Sequence, residues 1–358
     1  MSSPDSPVAA LLPAGPLAGI RIIEVGVMLA GPYATMLLAD LGAEVIKVEP
    51  PGGEISRQVS DSYFASLNRN KRSVCLDLAS ADGCARLAEL VADSHALLVN
   101  MKPSAIKKLG LTYENLRRYN EQIVCVALTG YGLHGGDDPA FDYVIQAATG
   151  VAAMTGDPDG PPTLPGYSAA DNSTGLTAAL GLLAKIVSGH GGQVDVCLRD
   201  VMLSQLNYRA AAYLNDGAEP RRYPFGAHSY YVPAQLFPTA EGHLALFITH
   251  DGFWRSFAGE AGIAGFETMV ERAAAREDVL ALVSAALATD TAVNWEIRLK
   301  PLGIPAAAVR SLPEALEDTP EMVVTAGDFR LVGSPIRVQG FEPEYRPAPV
   351  FDAAPQSS

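Results

Sequence analysis

Ile20-Arg-Ile-Ile-Glu-Val-Gly-Val-Met-Leu-Ala-Gly-Pro32 runs on into Tyr33-Ala-Thr-Met-Leu-Leu-Ala-Asp-Leu-Gly42 and Ala43-Glu-Val-Ile-Lys-Val-Glu49. Ile20–Val25 is a short apolar run. Gly26–Pro32 breaks it, and Tyr33–Leu41 reads as a helix. Gly42 ends that helix, because glycine tolerates the positive φ of a helix C-terminus. Ala43–Glu49 is a second strand. Strand, helix and strand within about 30 residues make a βαβ unit, with parallel pairing and a right-handed crossover.

The pattern repeats outward from this unit. Ser73–Leu78 reads as strand, Asp82–Asp93 as helix and His95–Asn100 as strand. Tyr113–Tyr119 is a short helix and Ile123–Thr129 another strand. Such alternation specifies an α/β layer structure, a Rossmann-like parallel sheet covered by helices. Ligands of such sheets bind at the carboxyl ends of strands. Those ends are Gly26–Pro32, Glu49–Gly53, Asp77–Ser80, Asn100–Ser104 and Gly130–Gly136. Thr174–Ser188 is a long apolar helix expected to be buried, Gln193–Leu198 a strand, and residues 199–213 helical. Asp216–Phe225, with Gly, two Pro and two Arg, reads as a linker. Beyond it Gln235–Phe237 and His243–Ile248 flank a turn, a hairpin pattern. Helices follow around Phe253–Glu260 and Phe266–Leu287, which makes a smaller α+β domain. The expected division is a large domain over 1–215 with a C-terminal return over 316–358, a linker over 216–225, and a small domain over 226–315.

The chain has 358 residues, 48% hydrophobic and 18% charged, enough for two domains with real cores. No apolar run reaches the roughly 18 residues of a membrane span, and Lys185 interrupts the longest helical stretch. Met1–Pro16 lacks a basic n-region and reads as a loose tail, not a signal peptide. Net charge is −14, which argues against a sequence-blind nucleic-acid binder. The charge is uneven: residues 1–120 hold 12 basic and 12 acidic residues, and the remainder 14 and 28. Cysteines at 75, 84, 125 and 197 form no C-x-x-C pair, so free thiols in a reducing cytoplasm are expected. No H-x-x-x-H pair occurs among six histidines, so no metal site is expected. His228, beside Ser229, is the one histidine in a suggestive loop. Trp254 and Trp295 read as core or domain-interface aromatics.

Gly26 and Gly31 do not fit the spacing of a dinucleotide-binding turn, and no Lys-Ser/Thr follows to make a phosphate loop. Asn68-Arg-Asn-Lys-Arg72 packs three cations into five residues, and Lys102, Lys107 and Lys108 form a second group. Both lie near strand ends. They fit a ligand with several phosphates, or two solvated loops balancing local acids. Asp171 precedes the apolar helix. It reads as a helix cap, or as a carboxylate nucleophile kept ionised by the helix N-terminus. Asp142 lies in Pro139-Ala-Phe-Asp-Tyr143.

The order of these pieces resembles the family III CoA-transferases, which share their fold with α-methylacyl-CoA racemases. The resemblance covers about Leu17 to Val338. It is carried by Leu17-Ala-Gly-Ile-Arg-Ile-Ile-Glu24, Ala30-Gly-Pro32, Leu38–Glu49, Asn68–Leu78, Gly130-Tyr-Gly132, Gly192-Gln-Val-Asp195, Pro238-Thr-Ala-Glu-Gly242 and Gly303-Ile-Pro305. It implies transfer of CoA from an acyl-CoA to a carboxylic acid through an aspartyl anhydride and an aspartyl–CoA thioester, with Asp171 as the aspartate. It implies acyl-CoA and a small carboxylic acid as partners, with coenzyme A as substrate and no tightly bound cofactor, nucleic acid or membrane. An interlocked homodimer is expected.

The expected contacts to CoA are Asn70, Lys71, Arg72, Leu76, Asp77, Leu78, Ala79, Asn100, Met101, Lys108, Phe141 and Asp142. The racemases carry a catalytic His where Phe141 stands, and Phe cannot move a proton. That favours transferase over an acyl-CoA α-carbon racemase; the other alternative is a non-catalytic acyl-CoA binder in which Asp171 is only a cap. Three departures stand out. Pro50 replaces an Arg that contacts CoA in relatives. The E-N-F-R-P-G run has become Val99-Asn-Met-Lys-Pro-Ser104. No glycine-rich loop occurs near Phe225–Val232.

Overall fold

The computed structural model describes residues 15–351. The expected N-terminal tail, up to Ala14, and the last seven residues of the C-terminal return lie outside the described residues. The chain divides into two compact units. One is built from the chain up to Thr149, Gly166–Asn207 and the chain from Thr319 onward; the other from Gly150–Pro165 and Tyr208–Asp318. Gly150–Pro165, which the sequence reading leaves inside the large domain, groups with the second unit.

In the first unit the order is β1 (Arg21–Val25), α1 (Ala30–Asp40), β2 (Glu44–Glu49), α2 (Asp61–Asn68), β3 (Arg72–Cys75), α3 (Ala81–Ala92), β4 (Ala96–Val99), α4 (Pro103–Lys108), α5 (Tyr113–Leu116), β5 (Val124–Thr129) and α6 (Asp142–Ala148). After α7 (Val151–Met154), which belongs to the second unit, come α8 (Ala169–Val187), β6 (Gly192–Cys197) and α9 (Leu198–Gln205). The six strands form one wholly parallel sheet in the order β3-β2-β1-β4-β5-β6. Ile23 pairs with Ile46 on one side and Leu97 on the other. The strand order reverses between β1 and β4, and that reversal opens a crevice at the strands' carboxyl ends.

Strands β4 and β5 are buried along their whole length, which explains their unbroken apolar runs Ala-Leu-Leu-Val and Val-Cys-Val-Ala-Leu-Thr. One core layer joins Ile23, Leu97, Val99 and Cys125 to Leu87 and Val91 of α3. The four cysteines are free; Cys125 and Cys197 are buried, Cys75 is half-buried and Cys84 exposed.

Several elements depart from the sequence reading. α1 begins at Ala30, not Tyr33, because Gly31 and Pro32 occupy its first turn, where proline's missing N–H has no helical partner to lose. α8 begins at Ala169, so Asp171 lies within its first turn and not ahead of it. Nor is α8 buried all round: Leu176, Leu180 and Val187 are exposed, Leu180 at 69%.

The second unit begins, after α7, with α10 (Asn207–Asp216) and an irregular stretch. β7 (Ala234–Pro238) and β8 (His243–Phe247) form the expected hairpin, antiparallel, with Gln235 opposite Leu246. Helices α11 (Asp251–Ala261), α12 (Met269–Ala274), α13 (Arg276–Leu287) and α14 (Ala292–Leu299) follow, and β9 (Ala306–Ala308) adds a third strand beside β8. The single helix expected over Phe266–Leu287 is two, broken near Ala275. Trp254 and Trp295 are core residues of this unit, their indole N–H groups donating to the Gly265 and Leu287 carbonyls. After α15 (Leu312–Asp318), a hairpin of β10 (Val323–Ala326) and β11 (Phe329–Val332) belongs to the first unit and packs Ala326 and Leu331 against Ala65 of α2. No helix among the described residues is long and apolar enough to cross a membrane.

Candidate active site

A cavity of about 560 Å³ opens where the strand order reverses. Its wall comes from the ends of β1 (Val27–Ala30), β4 (Asn100–Met101) and β5 (Leu128–Gly130), from the loop reaching Phe141, and from Asp171. The connections after β1, β4 and β5 all leave on the same side of a parallel sheet, so residues distant in sequence meet here.

The first βα turn is fixed from behind. Asn100 accepts the Val27 N–H through Oδ1 and donates to the Val27 carbonyl through Nδ2, both at 2.8 Å. Gly31 makes room for that amide, since a Cβ there would lie 2.7 Å from Asn100 Oδ1. Beneath the turn lies a buried set of charges. Glu24 accepts from Lys47 Nζ through Oε1 and from Lys71 Nζ through Oε2, each at 2.7 Å, and Thr35 Oγ1 donates to the same Oε2. Glu54 pairs with Lys47 at 3.0 Å. Burial opposes the charge on Glu24, but Lys47 and Lys71 outweigh it and hold its carboxyl down at about 2.

Asp171 sits at the third position of α8. Its helix needs its first N–H groups satisfied, and the N-cap Ser168 supplies no side-chain bond. Asp142 supplies it from outside: its Oδ1 accepts the N–H groups of Ala170 at 2.7 Å and Asp171 at 3.1 Å. Gln146, one turn along α6, donates Nε2 to Asp142 Oδ2. The capping task that the sequence offered to Asp171 therefore falls to Asp142, and Asp171 lines the cavity. Burial pushes that carboxyl up to about 6, and the charge of Asp142 adds in the same direction. This corrects the expectation that the helix N-terminus keeps Asp171 ionised: Asp142 already occupies the N–H groups that would have done so. Tyr63 was missed by sequence reasoning. Burial raises its phenol, and the charge of Asp171 adds to the rise, which places it in the field of the same carboxyl. The segment around Tyr63 carries a helix cap at Ser60 and no sign of a site.

The sequence-predicted residues separate into three groups. Asn100, Met101, Phe141 and Asp171 share the cavity, with Asp142 bonded directly behind it. Leu76, Asp77, Leu78 and Ala79 follow β3, two strands from β1, so about 10 Å away along the strand ends. Asp77 and Ala79 are exposed there, and the Leu76 N–H is bonded to the Glu49 carbonyl. Lys108 is exposed in the last turn of α4.

The third group does not form the expected cation patch. Lys71 is buried, its ammonium held by Glu24, the Pro32 carbonyl at 2.8 Å and Asn68 Oδ1 at 3.0 Å. Asn70 bridges Asp40 and the Arg346 N–H, both at 2.8 Å. Arg72 is exposed and pairs with Glu44 at 3.3 Å. Lys71 and Asn70 thus bind the fold together, because a lysine inside a packed βαβ layer is tolerated only when its charge is matched. Replacing Lys71 removes a partner from buried Glu24 and acts on folding before it acts on any ligand.

His228 lies in the second unit; its Nδ1 accepts the Tyr230 N–H at 3.1 Å, and burial lowers its pKa. Among the described residues no group of three His, Cys, Asp or Glu side chains is placed to hold a metal ion.

The chain matches the family model described as CoA-transferase family III over residues 17–355. It is 34% identical to a succinate–glutarate CoA-transferase of Agrobacterium fabrum, over 85% of this chain and 82% of that one. It is 30% identical to an acetyl-CoA:oxalate CoA-transferase of Acetobacter aceti, over 95% and 94%. The crystal structure of a CAIB/BAIF family protein from Brucella suis superposes with a TM-score of 0.81 at 27% identity, covering 93% of this chain and 95% of that one. A match over nearly the whole length, on a Rossmann-like sheet with a carboxylate at its switch point, makes this chain a member of the family III CoA-transferases.

Proposed function

We propose that Asp171 is the carboxylate through which this CoA-transferase passes coenzyme A from an acyl-CoA to a free carboxylic acid. The observation that carries the reading is a carboxyl at the cavity wall whose capping role another aspartate has taken over. An ionised Asp171 attacks the thioester carbonyl; the C–S bond breaks, giving an aspartyl–acyl anhydride and CoA thiolate. The thiolate attacks the aspartyl carbonyl, the anhydride C–O bond breaks, and the donor acid leaves as its carboxylate. An acceptor carboxylate then attacks the aspartyl thioester, thiolate leaves again, and its attack on the acceptor's acyl carbon releases the new thioester and Asp171. Each step exchanges one acyl bond for another, so the sequence runs without net hydrolysis provided water is kept out.

CoA would lie along the strand ends, from Asp171 past Asn100 and Met101 toward Leu76–Ala79 at the end of β3. Lys108 supplies an exposed cation within the same unit. Phe141, exposed at 69% beside the cavity, supplies apolar contact and no proton. Asp142 acts on Asp171 by orienting its helix turn, with no carboxylate oxygen left unengaged for CoA. The functional molecule is proposed to be a homodimer. Leu176, Leu180 and Val187 lie on one stripe of α8 and are exposed in the single chain, as a surface meant for a partner would be.

The test is to incubate the protein with an acyl-CoA and hydroxylamine, then map the adduct by mass spectrometry. A hydroxamate on Asp171, lost in Asp171→Asn, is expected. A full transfer rate in Asp171→Asn overturns the assignment.

A further inference from the structure

We infer that the second unit carries a receptor for one carboxylate of a small organic acid, built around His228. None of its residues lines the cavity that holds Asp171, and the inference does not rest on Asp171 being a nucleophile. A cavity of about 580 Å³ lies against the sheet β7-β8-β9, walled by Phe225, His228, Leu236, Ala245, Phe247 and Ala307. Phe237 and Leu244 pack into the core of this unit. Their strand neighbours Leu236 and Ala245 turn to the opposite face, where the cavity is. No Asp, Glu, Lys or Arg among the described residues lines it.

The His228 ring brings a polar group to this carbon wall. Its Nδ1 accepts the backbone N–H groups of Tyr230 at 3.1 Å and Tyr231 at 3.4 Å, so that nitrogen is bare and the proton sits on Nε2. Nε2 has no partner among the described residues and is left to donate. Neighbouring rings hold the imidazole in place, with centroids at 5.0 Å for Tyr231, 5.7 Å for Phe247 edge-on and 6.0 Å for Tyr208 stacked. The backbone is held as well. The His228 N–H donates to the Ala234 carbonyl at 2.8 Å, and the His228 and Ser229 carbonyls each accept Arg276 Nη2 at 3.1 Å. Phe225 lines the cavity at φ 54°, a left-handed conformation that a bulky residue keeps only where its surroundings enforce it.

A donor set in carbon serves a neutral carbonyl or an anion, and the charges behind the ring decide for the anion. Burial first, then the guanidiniums of Arg209 and Arg276, lowers the His228 pKa, so both cations act on the ring. Arg276 lies over the Tyr223 ring at 5.6 Å and Arg209 over that of Tyr208 at 5.8 Å. Neither forms an ion pair with a carboxylate among the described residues. A neutral N–H donor backed by two uncompensated cations attracts a carboxylate and repels an amine. The apolar wall adds burial for the acid's carbon chain, which an inorganic anion lacks. The receptor fixes one carboxylate and leaves the far end of the acid unspecified.

The test titrates the full chain with pentanoate and with pentanamide, equal in size and different in charge, and reads Kd by ligand-observed NMR. Pentanoate is expected to bind at least about tenfold more tightly than pentanamide or inorganic phosphate. His228→Phe keeps a ring among its aromatic neighbours and removes the donor, and its Kd for pentanoate should rise about tenfold. Arg209→Gln leaves the imidazole in place and should raise that Kd about threefold. Binding of pentanamide or phosphate as tight as that of pentanoate overturns the inference, as does unchanged pentanoate binding in His228→Phe. Should that variant not fold, unchanged binding in Arg209→Gln overturns it. Pentanoate binding that His228→Phe weakens, in a chain whose Asp171 never forms an adduct, sustains the inference and overturns the nucleophile assignment alone.

Discussion

At the scale of single residues, the site is a division of labour between two aspartates. Asp142 satisfies the start of α8, and Asp171 is left with its carboxyl at the cavity wall. The proposed attack by Asp171 requires its ionised form, so the kcat/KM for an acyl-CoA should fall about tenfold per pH unit below the Asp171 pKa of about 6. Asp142→Asn keeps an acceptor for the Ala170 and Asp171 N–H groups but removes the neighbouring charge. Its acid limb should move to lower pH in a pH–rate profile, a result a purely structural role for Asp142 would not give. The same shift bears on stability. Because burial lifts the folded pKa to about 6, above the 3.8 of a free aspartate, the folded chain holds this proton more tightly. The associated stabilisation is present below pH 3.8 and is lost as pH rises through about 6. At pH 7 Asp171→Asn should therefore raise stability by on the order of 1–3 kcal/mol while abolishing transfer, read by denaturant titration beside the activity assay.

At the scale of elements, α8 and the first βα turn set the geometry. α8 lies close to α1 because Gly175 has no side chain: a Cβ there would approach the Ala30 carbonyl to 2.7 Å and the Tyr33 ring to 3.1 Å. Gly175 is one turn beyond Asp171. Gly175→Ala should push the two helices apart, cost about 1–3 kcal/mol in stability and lower kcat, by carrying the carboxyl out of register with the cavity. Measurement of Tm and single-turnover rate checks both effects. The βαβ alternation was legible because the buried strands are apolar throughout and the amphipathic helix α3 shows its period. The start of α1 was not, because glycine and proline are read as breakers although both are tolerated in a first turn. α2 and α6 escaped notice because each is short and holds little apolar period of its own.

For the whole molecule, the exposed stripe on α8 is what a lone chain leaves unexplained. The protein should elute with a mass near twice 37.7 kDa by light scattering. Leu180→Glu, at the middle of the three exposed α8 positions, should shift it toward the single-chain mass. A native protein that runs as one chain at micromolar concentration would remove the proposed assembly. The division into two units came partly from composition, since the texture changes beyond Phe225. The crossing of Gly150–Pro165 into the second unit did not, because chain grouping depends on packing that no local pattern records.

The chain order of the parallel sheet's strands and the family followed from the sequence, which also singled out Asp171 as the candidate nucleophile. Hydrophobic period and motif order are written locally, and they survive whatever the surroundings do. What only the tertiary structure decided is the partner of each charge. Lys71 and Arg72 are adjacent in a basic run, yet one is sealed against Glu24 and the other lies at the surface. Asp171 read as a cap or as a nucleophile, and the cap of its helix is Asp142, 29 residues earlier in the chain. Ion pairs and caps form between side chains that the fold brings within 3 Å or so, and sequence spacing carries no information about that distance.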